Sequence, residues 1–109
     1  MADRQEARSA ASALRVVPHG EQVSFAEFCE RHNIKLVAHE RSKRSGLPPW
    51  YVSPQGLVEI REGGFLTSVH GSGETPEEAL ADYERRLAGH RLLIGGAYEV
   101  VAPNEWRAA

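Results

Sequence analysis

Cys29 and His32 are the residues whose types and spacing first suggest chemistry. They stand three positions apart in FAEFCERHN, a segment with the pattern of a helix, so their side chains can be neighbours. A thiol beside an imidazole can bind a metal ion or serve as an activated nucleophile. A zinc site needs two further ligands at suitable spacing, which the sequence does not supply. We therefore interpret Cys29 as a buried core residue and His32 as an exposed helix-end residue.

His39 and His70 fall on two predicted strands where they could lie near each other, although nothing in the sequence requires that contact. The carboxylates of Asp82, Glu84 and Glu99 are scattered along the chain, and no Ser-His-Asp arrangement can be read from their spacing. We expect ordinary solvated charges at these three positions. The sequence thus predicts a protein that is not an enzyme, with no catalytic residue, no metal site and no cofactor.

A basic cluster precedes two aromatic residues in the middle of the chain. Its members are Arg41, Lys43 and Arg44, and they are followed by Trp50 and Tyr51. A nucleic-acid interface would place the cations on phosphates and the aromatic rings against bases. The alternative is a solvated loop with Trp50 packed beneath it, which the small number of cations favours. Because an aromatic side chain beside an arginine is a frequent anchor in protein interfaces, we predict these five residues as the binding surface.

The tripeptide Gly71-Ser72-Gly73 precedes a predicted helix, as glycine-rich phosphate-binding loops do. Glu74, Glu77 and Glu78 crowd the same helix end, and their negative charge would repel a phosphate group. The spacing also matches neither the P-loop nor the dinucleotide-binding pattern. We therefore predict a structural turn at Gly71-Ser72-Gly73.

Length and composition limit the classes of protein that fit. The chain has 109 residues, which suits one domain. Its formal net charge of −2 argues against a general nucleic-acid binder. Cys29 is the only cysteine, so no intrachain disulfide can form and a cytoplasmic location is expected. No apolar run approaches the roughly 20 residues that a membrane helix needs.

Local signals define the predicted elements. Ser24 and Glu27 form a capping box at the start of one helix, which Asn33 can end in the left-handed conformation, and Thr75-Pro76 with Glu78 starts another. The glycine pairs 63–64 and 95–96 favour hairpin turns between apolar segments. The order is therefore α-β-β-β-α followed by one or two short strands. We predict an α+β fold in which both helices cover one face of one antiparallel sheet.

The domain organisation follows from the apolar pattern. Residues 1–20 hold few large apolar side chains, so we predict a flexible or partly helical N-terminal arm there. Residues 21–109 are predicted to form a single small α+β domain.

The α-β-β-β-α order resembles the double-stranded-RNA-binding domain, whose glycine turn and second helix correspond to GSGETPEEALADYERRL. The resemblance implies that family's topology. The family contacts phosphate through lysines at the start of this helix, where the present chain has Glu77, Glu78 and Asp82. The resemblance therefore does not extend to RNA binding.

Two further resemblances concern the same region. The segment GGFLTSVHGSGETPEEALADYERRL is similar to the strand-glycine-helix core of HicB-type antitoxins. A longer pattern, running from FAEFCERHNIKL through LPPWYVS to EGGFLTSVHGSGETPEEALADYERRLAG, is similar to small phage- and prophage-encoded proteins of unknown function. This similarity implies a bacterial or phage setting and brings no catalytic residues.

Together these observations predict a small non-catalytic module that binds another macromolecule, with a protein as the favoured partner. A HicB-like antitoxin component and a nucleic-acid-binding module that uses the Arg41–Trp50 loop are the alternatives. No membrane association is expected. Edge strands could pair between copies, so both a monomer and a homodimer remain open.

Overall fold

The computed structural model describes residues 14–16, for their backbone, and residues 22–108. Two α-helices lie within them, α1 (Phe25–Arg31) and α2 (Pro76–Leu87), together with a short 3-10 helix at Lys43–Ser45. The strands are β1 (Leu14–Val16), β2 (Leu36–Glu40), β3 (Trp50–Pro54), β4 (Val58–Glu62), β5 (Phe65–Ser68), β6 (Gly71–Gly73), β7 (Arg91–Ile94) and β8 (Tyr98–Val101). The predicted α+β class is confirmed.

The strands are distributed over two sheets. The larger sheet has the order β1-β8-β7-β4-β5, and the smaller sheet has the order β2-β3-β6. Neighbouring strands are antiparallel except for β1 and β8, which are parallel. The prediction placed all strands in one sheet. The chain instead leaves the smaller sheet after Pro54 and returns to it after Val69-His70, so that β4 and β5 belong to a separate layer.

The N-terminal arm is described at three residues only. Leu14–Val16 is extended there and pairs with Glu99–Val101, whereas a flexible or partly helical arm was predicted for residues 1–20. The rest of that prediction lies outside the described residues.

Helix α1 begins as its local sequence predicts. The Ser24 hydroxyl accepts a hydrogen bond from the backbone N–H of Glu27 at 3.1 Å, and the Glu27 carboxylate accepts one from the N–H of Ser24 at 3.0 Å. These two bonds satisfy N–H groups that a helix start leaves without intrahelical partners. After the helix ends, Asn33 adopts the left-handed conformation with φ of 55°. The predicted capping box and the predicted terminating residue are both confirmed.

Helix α2 is capped by Thr75, whose hydroxyl accepts a hydrogen bond from the N–H of Glu78 at 3.1 Å. Pro76 occupies the first helical turn, as predicted. The Glu78 carboxylate accepts from the N–H of Glu74 at 3.0 Å, one residue before the N-cap, so the predicted capping box is replaced by this longer contact. The Glu78 carboxylate therefore stabilises the chain that leads into the helix.

Strand β6 packs directly against the backbone of α2. A Cβ atom on Gly71 would lie 2.1 Å from the carbonyl oxygen of Ala79 and 2.3 Å from the nitrogen of Tyr83. A Cβ atom on Gly73 would lie 2.5 Å from the Cβ of Glu78. The predicted turn at this tripeptide is wrong: the segment is a strand paired with β3, and its glycines allow the helix to approach closely.

One cluster of buried apolar side chains joins the helices to the two sheets. Phe25 of α1 contacts Tyr83 of α2 edge to face, with ring centroids 6.1 Å apart. The largest side chains that are fully buried are those of Tyr83, Phe28, Leu87, Leu92 and Val100. Trp106 packs on the same cluster and covers part of the core, and its indole N–H donates to the carbonyl oxygen of Glu84 at 2.8 Å.

We expect Gly71→Ala to lower the free energy of unfolding by about 3 kcal/mol, because the new methyl group meets backbone atoms that cannot rotate away. Gly64→Ala is the matched control, since a Cβ at Gly64 meets nothing within 4 Å. Urea denaturation of both variants measures the difference. Equal stabilities would show that α2 does not lie this close to β6.

We expect Tyr83→Phe to leave stability unchanged or raise it by about 1 kcal/mol, because the buried hydroxyl has no hydrogen-bond partner among the described residues. Tyr98→Phe is the control, since the Tyr98 hydroxyl lies 3.1 Å from Nδ1 of His32, and its loss should destabilise the protein by about 1 kcal/mol. Thermal and urea unfolding compare the two. A larger loss for Tyr83→Phe than for Tyr98→Phe would contradict this assignment.

Candidate functional site

The outward face of the smaller sheet gathers side chains from all three of its strands. Tyr51 on β3 is paired with His39 on β2 and with Ser72 on β6. The rings of His39 and Tyr51 are stacked, with centroids 4.7 Å apart and an interplanar angle of 21°. His70, just before β6, meets the Tyr51 ring edge to face at 5.6 Å. We call His39, Arg41, Tyr51, His70 and Ser72 the outer cluster.

Arg41 is held in place by contacts on several sides. Its guanidinium carbon lies 4.7 Å from the centroid of the Tyr51 ring. Nη1 donates to the carbonyl oxygen of Pro48 at 2.8 Å, and Nη2 donates to the Ser72 hydroxyl at 3.3 Å. Nη2 also lies 3.1 Å from Nε2 of His70, which accepts a hydrogen bond only when that imidazole is neutral. The planar cation is thus fixed above an aromatic ring at the protein surface.

The two other predicted cations lie on the adjoining turn. Ser42 caps this turn by accepting from the N–H of Arg44 at 3.2 Å, and Gly46 closes it in the left-handed conformation. Lys43 and Arg44 are exposed, as is Leu47, which retains 60% of its accessible surface. We call the segment 42–47 the basic turn.

Trp50 does not share the face of Tyr51. Consecutive residues of a strand point to opposite faces, so Trp50 lies on the inward face and packs against the core cluster. The structure therefore brings Arg41 and Tyr51 together, places Lys43 and Arg44 beside them, and separates Trp50 from all four. Of the two interpretations of Trp50 drawn from the sequence, packing beneath the surface is the one that the structure shows.

His70 and Ser72 belong to the outer cluster although sequence reasoning did not place them in the site. The sequence allows His39 and His70 to lie near each other, and in the structure both rings contact that of Tyr51. Ser72 was missed because its tripeptide was interpreted as a turn. Alternation along a strand would have placed Ser72 outward between two inward glycines.

The carboxylates interpreted as solvated charges take part in specific contacts. Asp82 accepts from the backbone N–H of Ser72 at 2.9 Å and forms ion pairs with Arg85 and Arg86. Glu99 accepts from Nε of Arg61 at 2.5 Å on the larger sheet. The carboxylates of Asp82 and Glu99 therefore have structural roles and are not the ordinary solvated charges that we expected.

An open apolar groove of about 710 Å³ lies at helices α1 and α2. Its walls include Phe25, Cys29, Leu36, Leu80 and Trp106, and its rim carries charged side chains: Glu30, Lys35, Glu84 and Arg107. The C-terminal residues fix one wall, since the N–H of Arg107 donates to the carbonyl of Val23 at 2.8 Å.

Cys29 is buried, as predicted, whereas His32 was expected to be exposed and is half-buried because its ring packs against two others. Cys29 lines the groove, whereas the His32 ring packs at 4.6 Å from that of Phe28 and contacts Tyr98. Within residues 22–108, the structure shows no group of three or more potential ligands arranged to hold a metal ion. Burial, reinforced by the Glu84 charge, raises the pKa of the Cys29 thiol from 9.0 to about 11.

We expect Cys29 to react slowly with iodoacetamide at pH 8, at least about tenfold more slowly than in the urea-unfolded chain, because the thiolate is the reactive form. The same pKa shift contributes stability that is fully present below pH 9.0 and is lost as the pH rises towards about 11. Cys29→Ala should remove the part of the loss of stability at alkaline pH that the thiol causes. Equal alkylation of folded and unfolded protein would instead identify a reactive thiol.

None of the helices described by the structure is long and apolar enough to cross a membrane. Comparison of the chain with protein-family models, with curated proteins and with solved structures gives no match.

Proposed function

We propose that this protein is a small, non-catalytic, cytoplasmic module that binds another protein through the outer cluster and the basic turn. The observation that carries the proposal is the fixed position of Arg41 above Tyr51, supported by Pro48, His70 and Ser72. The resemblances to phage-encoded proteins and to HicB-type antitoxins stay predictions about the setting in which it acts.

A fixed arginine on an aromatic ring suits protein recognition. Arginine and tyrosine are enriched among the residues that dominate binding energy in protein interfaces. Because Arg41 is already ordered, binding would cost less side-chain entropy than it would for a free arginine. Folding already restricts the Arg41 side chain, so a contact made by its guanidinium group contributes to affinity without that loss of entropy.

The charge around the cluster indicates an acidic partner surface. The outward positions of β2, β3 and β6 hold Val37, His39, Tyr51, Ser53 and Ser72, none of which is acidic. Arg41, Lys43 and Arg44 lie beside them. Complementary charge across an interface favours the correct partner and speeds encounter.

Nucleic acid is the second candidate, favoured by the exposed Lys43 and Arg44. Base stacking would need a free aromatic face, whereas the Tyr51 ring is already in contact with His39, Arg41 and His70. The remaining affinity would come from few phosphate contacts and would fall steeply with salt. The geometry therefore favours a protein partner.

We expect a photo-crosslinking amino acid at position 47 to capture a discrete protein partner in bacterial cells, because Leu47 extends from the basic turn beside the outer cluster. Position 57 is the matched control: Leu57 is also an exposed loop leucine, with 57% of its surface accessible against 60% for Leu47. Mass spectrometry identifies the captured species.

Arg41→Ala should abolish the crosslink from position 47, while Glu105→Ala, at an exposed residue of the C-terminal segment, should leave it unchanged. Equal capture from positions 47 and 57, or capture of nucleic acid in place of protein, would overturn the proposed function.

A further inference from the structure

Strand β2 forms one edge of the smaller sheet. The carbonyl of Lys35 accepts from the N–H of Gln55 at 2.8 Å, and the N–H of Arg41 donates to the carbonyl of Pro49 at 2.6 Å. Odd-numbered residues of this segment therefore direct their backbone polar groups towards β3. Because these directions alternate in an antiparallel strand, Leu36, Ala38 and Glu40 direct theirs to the opposite side. No strand in the described part of the chain pairs there.

A depression of about 210 Å³ runs beside this edge on the inward face. It is lined by Leu36 and Ala38 of β2, Val52 of β3, and Pro76 and Leu80 of α2. The close contact of α2 with Gly71 and Gly73 centres the helix over β6, so the inward side of β2 is less covered. Leu80 retains 39% of its accessible surface as a result.

The depression continues into the apolar groove at helices α1 and α2. Leu36 and Leu80 line both spaces, so apolar side chains of an added strand would have a continuous surface to contact. Backbone hydrogen bonds to the edge and apolar contacts at alternate positions are the two requirements for the addition of a peptide strand to a sheet.

The charged side chains near β2 determine which face of an added strand can carry acidic residues. The outward side carries His39 and Arg41, whereas the inward rim carries Glu40 and Glu77. Acidic side chains are therefore accommodated outward and apolar side chains inward. A second copy paired symmetrically about Ala38 would place Arg41 opposite Lys35 of the partner copy, and like charges directly opposite are destabilising. The charge pattern thus disfavours that pairing of two copies, and the basic outward side favours an acidic segment of another protein.

We propose that the edge of β2 binds an extended segment of a partner protein, which adds a fourth strand with its apolar residues against Leu36 and Leu80 and its acidic residues beside the outer cluster. This inference rests on the proposed function, since it specifies the chemistry of the protein partner.

The test uses a capped peptide of about seven residues, a typical strand length, in which Glu alternates with Val. In an NMR titration of the full chain, we expect the amides of Leu36, Ala38 and Glu40 to shift and to become protected from hydrogen exchange. A peptide with Lys in place of Glu should bind at least about tenfold more weakly. Absence of binding at about 1 mM of the Glu peptide, or equal binding of both peptides, would overturn the proposal.

Ala38→Pro removes one backbone N–H that points away from β3 and leaves the hydrogen bonds between β2 and β3 in place. Proline is tolerated at such edge positions. The substitution should weaken peptide binding at least about tenfold, whereas Ala38→Ser, which keeps the N–H, should change it by less than about twofold. A Glu-Val peptide N-methylated on the backbone groups that face β2 gives the same test with unaltered protein. Unchanged binding of that peptide would contradict strand addition.

Two further outcomes separate the two proposals. If the peptide does not bind but the position 47 crosslink persists in Ala38→Pro, the module binds its partner elsewhere and strand addition is wrong. If the peptide does not bind and position 47 gives no protein crosslink in the otherwise unaltered chain, the proposed function is wrong as well. A dimer of the chain that Ala38→Pro dissociates would assign the edge to a second copy and would overturn the present inference.

Discussion

The contact between β6 and the backbone of α2 is the constraint on which the arrangement of this protein depends. Gly71 and Gly73 have no side chain on the inward face, so the helix lies against the strand itself. The N–H of Ser72 between them donates to Asp82 on the same helix, which fixes the helix along the strand as well as above it. This close approach determines how far α2 covers the smaller sheet and which part of that sheet stays accessible.

The two faces of the smaller sheet consequently have different roles. The inward face holds Val52 and Trp50 within the core cluster, and it contributes to stability through burial. The outward face holds Tyr51 and Ser72, which order Arg41 at the surface. Because β3 supplies Trp50 and Val52 as well as Tyr51, packing of its inward side chains also fixes the position of the Tyr51 ring.

Features set by a few neighbouring residues could be predicted from the sequence, whereas features set by distant contacts could not. The Ser24 cap, the reversal at Asn33 and the N-cap at Thr75 each depend on side chains within about one helical turn. The division of the strands between two sheets depends on packing contacts between the apolar faces of elements that are far apart in the sequence. Strand β6 was missed because glycine is depleted in strands, and its use here follows from a helix that lies further along the sequence.

The candidate site shows the same limit. The basic and aromatic residues were visible as a group, and alternation along β3 would have separated Trp50 from Tyr51. The contacts of Arg41 with His70 and Ser72 join segments that are remote in sequence, so no local pattern contained them. Residue type thus indicated where the candidate site lies in the sequence. The pairing of the strands determined which side chains belong to it.

The parallel pairing of Leu14–Val16 with Glu99–Val101 has a consequence for biosynthesis. The segments of the smaller sheet and α2 are synthesised before β7 and β8, because they precede those strands in the chain. The apolar side chains of β4 have no neighbour from β7 until that later stage, and β1 must wait longest for its partner. The larger sheet therefore cannot form before β8 has been synthesised, and a nascent chain that lacks β7 and β8 leaves the apolar side chains of β4 accessible to chaperones.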